Sequence, residues 1–314
     1  MLPTELVKLT ALMERTSGNP EIKIGLIDGP VVTRHTDLTA ERLREVHGNN
    51  GATCTQANSM ACQHGTFIAG MLSAKRTSSA PAICPNCTLL VRPIFSEATA
   101  GREHMPSATP SELATAILEC IHAGARVINL SLALAQPSAR GEHALEKVLN
   151  QAIRHGVLIV AAAGNQGTLG SSAITRHPWV IPVVACDSRG RPINESNLGG
   201  SIGTRGLSAP GDSITSLGSD SQMLTLGGTS VAVPFVTGAI ALLWSEFPAA
   251  SAAQIKLALM RQSQDFRQTG APVQNKLALT RALTPRHASV VPPLLNAEAA
   301  YQLLLATSTR RQTA

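Results

Sequence analysis

Aromatic side chains are scarce in this chain: one Tyr, two Trp and five Phe, 3% of 314 residues. A core built on them is excluded, so burial falls to Ala, Leu, Ile and Val, which suits helices packed closely on a sheet. Charge is sparse too, at 15%, and the residues behind the net +6 are scattered, with no Lys/Arg block interleaved with aromatics. That absence argues against a nucleic-acid partner; the excess, most visible at Arg310 and Arg311, reads as a solvated basic surface. No run reaches the roughly 18 uninterrupted apolar residues that a bilayer span requires. The first twenty residues, MLPTELVKLTALMERTSGNP, set charges among apolar positions at helical spacing and lack the apolar segment and cleavage site of a signal peptide. They predict an amphipathic helix over residues 1–20, and a cytoplasmic protein with no membrane partner. No acidic cluster, internal repeat or low-complexity tract occurs, so neither a metal nor a cofactor is expected, and oligomeric state is not readable.

Six cysteines are present, unevenly placed. Cys120 and Cys186 fall in helix-like and strand-like segments and read as buried thiols. Cys54, Cys62, Cys84 and Cys87 cluster, and three readings stay open for them: local disulfides, a zinc site for which only Cys84-Pro-Asn-Cys87 has ordinary spacing, or plain thiols. A cytoplasmic address weighs against the first.

At this length one large domain can bury a substantial core. Short β-branched runs near residues 22–28, 88–94, 125–131, 157–162 and 180–185 read as buried parallel strands. Between them lie segments with apolar residues three and four apart, one opening at Ser111 as the plausible cap after Pro110, another over residues 144–153 closed by His155-Gly156. Strand alternating with helix implies right-handed crossovers and an α/β domain, a mostly parallel central sheet covered by helices on both faces. The domain is expected over residues 21–305, with a disordered tail at 306–314.

In such sheets ligands sit beyond the carboxyl ends of the strands. Asp28 ends the first run. His64 and Ser230 each stand where a glycine-flanked loop enters an apolar helix. A serine hydroxyl is a poor nucleophile near neutral pH, so it needs an imidazole to take its proton and a carboxylate to orient that imidazole. Asp28, His64 and Ser230 are therefore the candidate catalytic residues.

At these residues the chain resembles the subtilase family of serine peptidases. His-Gly-Thr-x-x-Ala-Gly is matched by residues 64–70 and Gly-Thr-Ser-x-Ala-x-Pro-x-Val-x-Gly by residues 228–238, in the order Asp, His, Ser. The resemblance implies a subtilisin-like three-layer fold and peptide-bond hydrolysis. It also implies an oxyanion donor at Asn165, in Ala163-Gly164-Asn165, and a substrate groove walled by Ser131, Leu132 and Ala133 and by Ala162, Ala163 and Gly164. One motif departs from the family: where subtilases carry Asp-Ser-Gly or Asp-Thr-Gly, this chain has Asp28-Gly29-Pro30. The hydroxyl, and the local hydrogen bond it makes, are missing.

A narrower likeness lies in residues 82–95, the Asp28-Gly29-Pro30 acid and the cysteine pair around the histidine motif. These are similar to the PatA- and PatG-type maturation proteases of cyanobactin pathways, which cut a ribosomally made precursor peptide. Twenty-seven residues before Asp28 leave no room for a folding prodomain, and no space is evident between His64 and Ser111 for the helical cap that macrocyclising members carry. Leader removal from a precursor peptide is thus the expected activity. A general intracellular subtilisin and a noncatalytic peptide-binding scaffold are the alternatives.

Overall fold

The β-branched runs pair into one parallel sheet. In the computed structural model, which describes residues 1–46, 48, 51, 53–97, 108–132, 142–220, 222–265 and 289–312, seven strands lie in the order β2-β3-β1-β4-β5-β6-β7. They are β1 (Lys23–Asp28), β2 (Leu43–Glu45), β3 (Thr88–Pro93), β4 (Val127–Leu130), β5 (Leu158–Ala162), β6 (Val180–Cys186) and β7 (Leu207–Pro210). Every pairing among them is parallel. A separate antiparallel hairpin joins β8 (Ile214–Leu217) to β9 (Met223–Leu226). In β1 and β3, Asp28 pairs with Pro93, so the carboxylate emerges at the carboxyl edge of the sheet.

Strand side chains alternate between two cores, as a sheet covered on both sides requires. Ile24, Leu26, Val127, Val160 and Val183 face one core with helices α3 (Met60–Ser73) and α8 (Thr229–Glu246). Ile27, Ile128, Leu130 and Ile159 face the other with α4 (Pro110–His122) and α5 (Glu142–His155). The three layers expected from the sequence are present. Helix α8 is long and apolar enough by composition to cross a membrane, but 83% of it is buried inside this domain, which makes it the central core helix.

Three local expectations change. The N-terminal segment is two short helices, α1 (Pro3–Leu6) and α2 (Thr10–Arg15). The break falls at Lys8, whose φ of 54° turns the chain so that Val7, Leu9 and Leu12 all reach the core. Helix α4 is capped by Thr109, not Ser111: Pro110 takes the first helical position, and Thr109 and Glu112 close a reciprocal capping box. Of the stretch 306–314 expected as a disordered tail, residues 306–312 continue α10 (Ala297–Gln312), and the rest lie outside the described residues. Its Ala300, Tyr301 and Leu304 are buried. Arg15 of α2 lies over the Tyr301 ring, 4.7 Å from its centre, and Ala297 N–H donates to the Val7 carbonyl at 3.0 Å. The remaining helices are α6 (Ala173–Arg176) and α7 (Gly200–Arg205), which pack against β6, and α9 (Ala252–Asp265), which packs against α10.

Candidate active site

Asp28 is fully buried at the end of β1. Its Oδ1 accepts from its neighbour's Gly29 N–H at 2.7 Å and from His64 Nδ1 at 2.7 Å. His64 reaches it because α3 comes down against the Asp28 loop with backbone touching backbone. A Cβ on Gly29 would stand 1.9 Å from the Ala61 carbonyl oxygen, and one on Gly65 would stand 2.5 Å from the Gly29 oxygen. Glycine at both positions is what admits this approach. The same packing explains the departure from the family pattern, since no side chain fits at residue 29. Asp28 Oδ2 is left without a hydrogen-bond partner among the described residues.

With Nδ1–H donating to the carboxylate, Nε2 carries the lone pair, and it lies 3.2 Å from Ser230 Oγ. Burial alone would lower the His64 pKa. The charge of Asp28 and its hydrogen bond outweigh that and hold the imidazole above its ordinary value. Carboxylate, imidazole and hydroxyl thus stand in one hydrogen-bonded line, drawn from β1, α3 and α8.

Ser230 is the second residue of α8, where the N–H has no intrahelical acceptor. Pro234 lies four residues on and has no N–H, so the Ser230 carbonyl is denied its helical donor. Ser131 Oγ supplies the bond instead, at 2.7 Å. Ser131 in turn accepts from Asn129 Nδ2 at 2.8 Å, and Asn129 Oδ1 accepts from Thr237 Oγ1 at 2.9 Å. This buried chain ties the end of β4 to α8 and fixes the height of Ser230 above the sheet. The sequence reading had Ser131 only as groove wall; its side chain is turned inward and 2% exposed.

Asn165 follows β5. Its Oδ1 accepts from both the N–H and the hydroxyl of Thr229, each at 2.8 Å. Those two donors settle which end of the amide is oxygen, so Nδ2 is the end left to donate. Gly228, at φ 115°, makes room: a Cβ there would lie 2.9 Å from Nδ2. The Asn165 amide is thereby placed beside the residues that precede Ser230.

Leu132, Ala162, Ala163 and Gly164 are buried at the ends of β4 and β5, flanking the site, and Ala133 lies outside the described residues. Sequence reasoning missed a cavity of about 790 Å³ that Asn165 itself lines, together with Asp187, Arg191, Glu195, Asp212 and Gly228 among others. Those residues come from three separate loops, and no local pattern announces them. Cys54 and Cys62 are disulfide-bonded, which ties α3, two residues ahead of His64, to the segment whose Thr53 bridges Val31. Cys84 and Cys87 form no bridge. They are buried free thiols in one tight turn, and their shared hydrogen bond holds Cys84 protonated, well above its ordinary pKa.

A parallel α/β sheet that presents a buried carboxylate, a histidine and a helix-borne serine in line, with an amide donor alongside, defines the class of serine hydrolases. The sequence matches the Subtilase family over residues 19–281, and the chain belongs to that family. It is a subtilisin-like serine peptidase. Subtilisin DY of Bacillus licheniformis is 31% identical over 256 residues, covering 80% of this chain and 86% of that protein. A thermostable alkaline protease of Halalkalibacterium halodurans is 30% identical over 72% of this chain, and this chain covers only 55% of its length. Among solved structures, the protease domain of PatA superposes with a TM-score of 0.78 at 26% identity, over 92% of this chain and 97% of that one. The prenylagaramide maturation protease PagA gives 0.76 at 26%, over 95% and 98%.

Proposed function

We propose that Ser230 attacks the peptide carbonyl, that His64 takes its proton and returns it to the leaving amine, and that Asp28 orients and stabilises the imidazolium. Asn165 Nδ2 and the Ser230 N–H donate to the oxygen as charge builds on it. The observation that carries this reading is the unbroken run from Asp28 Oδ1 through His64 to Ser230 Oγ, with contacts of 2.7 and 3.2 Å. The substrate is a peptide, and we assign it to a ribosomally made precursor whose leader is removed by hydrolysis. Two observations support that choice: the likeness to the PatA and PagA maturation proteases spans nearly the whole of each chain, and among the described residues between β2 and α4 the only helix is α3. Among the described residues of that stretch, no second helix stands beside α3 to serve as a macrocyclising cap. The cytoplasm, where such precursors are made, is the proposed place of action; the Cys54–Cys62 bridge sits least easily with it, because thiols there stay reduced.

A fluorophosphonate probe followed by peptide mapping tests the site: Ser230 is labelled in the wild-type protein, and Ser230→Ala takes no label. A panel of unrelated peptides beside a leader–core precursor tests the substrate. Cutting at one junction in the precursor alone is expected. Broad cutting of the panel would reassign the chain to general proteolysis, in keeping with its subtilisin relatives.

A further inference from the structure

Asn165 stands on a turn with no regular structure to hold it, since β5 ends at Ala162 and α6 opens only at Ala173. Backbone bonds from Glu195 and Leu198 reach Gly167 and Thr168, and one side chain from the same loop makes the densest set of contacts to the turn. Asn197 Oδ1 accepts from the Gln166 N–H at 3.1 Å, the Thr168 N–H at 3.0 Å and the Thr168 hydroxyl at 3.1 Å. Its Nδ2 donates to the Ala163 carbonyl at 3.3 Å and to Gln166 Oε1 at 2.6 Å. Its backbone N–H donates to the Gly164 carbonyl at 2.9 Å. These bonds bracket Asn165 on both sides, at residues 163, 164, 166 and 168. Gly164 is the complement of this arrangement: it takes φ 108°, and a Cβ there would lie 2.3 Å from Asn197 Nδ2. A carboxamide supplies what the turn presents partners for: an acceptor oxygen at one end and two N–H donors at the other.

The turn is joined to the nucleophile as well. Thr229 Oγ1 accepts from the Gly164 N–H at 3.2 Å while donating to Asn165 Oδ1. Asn197 makes no hydrogen bond to Asp28, His64 or Ser230 among the described residues, so whatever it does for the reaction passes through the turn. We infer that Asn197 is a positioning residue, which fixes Asn165 Nδ2 at the distance and angle that the developing oxyanion needs. This rests on the reading of Asn165 as the oxyanion donor.

The test is a double-mutant cycle on kcat and KM for a peptide substrate, with Asn165→Ala, Asn197→Ala and the double variant. Asn165→Ala alone is expected to lower kcat by roughly a hundredfold to a thousandfold with KM little changed. If it does not, the oxyanion reading fails, and this inference fails with it. Asn197→Ala is expected to lower kcat by about tenfold to a hundredfold, again with KM steady, as a displaced catalytic group does. In the Asn165→Ala background the same change should cost less than about threefold, because its target is gone. Equal losses in both backgrounds, or a loss expressed in KM, would leave Asn165 in its role and overturn the inference about Asn197. If Asn197→Ala does not fold, Asn197→Asp carries the cycle; it keeps the three acceptor bonds and loses the two amide donations, and the same criterion applies.

Discussion

Restoring the family's hydroxyl after the acid, as Gly29→Ser, is expected to damage this protein. The new Cβ would enter at 1.9 Å from the Ala61 oxygen and 2.5 Å from the Ala61 carbonyl carbon. Both are main-chain atoms in the first turn of α3, so no side-chain rotation relieves the contact, and the turn must retreat from β1 by more than an ångström. Forced overpacking of this kind costs about 1–3 kcal/mol. For a domain of this size that is a fall in Tm of roughly 3–10 °C. His64 stands one turn further along α3 and moves with it, which lengthens the 2.7 Å contact with Asp28. Misplacement by about an ångström costs on the order of a hundredfold in rate. Thermal unfolding and kcat on a peptide substrate measure the two effects. An unchanged Tm together with an unchanged kcat, or a rise in either, would refute the claim that close backbone contact excludes a side chain at residue 29.

Ser230→Ala should reduce kcat about a millionfold, because nucleophile and base act as a unit, while the unfolding curve stays within about 1 kcal/mol of wild type; residual turnover within tenfold of wild type would remove Ser230 from its role. A protonated His64 accepts no proton from Ser230, and Asp28 keeps the imidazole charged to higher pH than usual, so activity should rise with pH through a limb centred above 6.5. Asp28→Asn removes the charge that raises this pKa and should shift the limb of kcat/KM to lower pH as well as slowing turnover; a limb that stays in place would contradict the assignment. Reducing the Cys54–Cys62 bridge, whose cysteines are eight residues apart, should lower stability by about 2–3 kcal/mol on the loop-entropy argument, read as a lower Tm with dithiothreitol present.

Five of the seven strands were legible because they are buried and read as unbroken apolar runs, and the helices between them because their apolar positions repeat at the helical period; the short strands β2 and β7 at the two edges gave no such run. Asp28 and Ser230 were legible because each sits where an element meets a loop beside glycines, and His64 by its His-Gly-Thr motif, although α3 already begins at Met60, four residues before it; Asn165 was legible only through the family resemblance. Features held by contacts between distant segments were not. Nothing local in residues 1–20 shows that Lys8 breaks the first helix, since the reason is where Val7, Leu9 and Leu12 find the core. Nothing in the composition of the last residues shows that α10 is held by Tyr301 and Leu304 against the rest of the fold.

Pro234 marks the boundary between the two kinds of feature. In the sequence it is a proline inside an apolar helix, which alone predicts a kink or an end. The fold turns the defect to use: the carbonyl that Pro234 leaves unpaired belongs to the serine that carries the chemistry, and the Ser131 hydroxyl takes it up at 2.7 Å. Neither residue explains the other until β4 is placed beside α8. The same holds for Gly29, whose missing hydroxyl reads as a weakened acid motif but follows from the nearness of α3, and for Asn197, whose side chain has no meaning until the turn at 163–168 lies beneath it. The reacting groups are written in the sequence, whereas the groups that aim them are readable only in the packing.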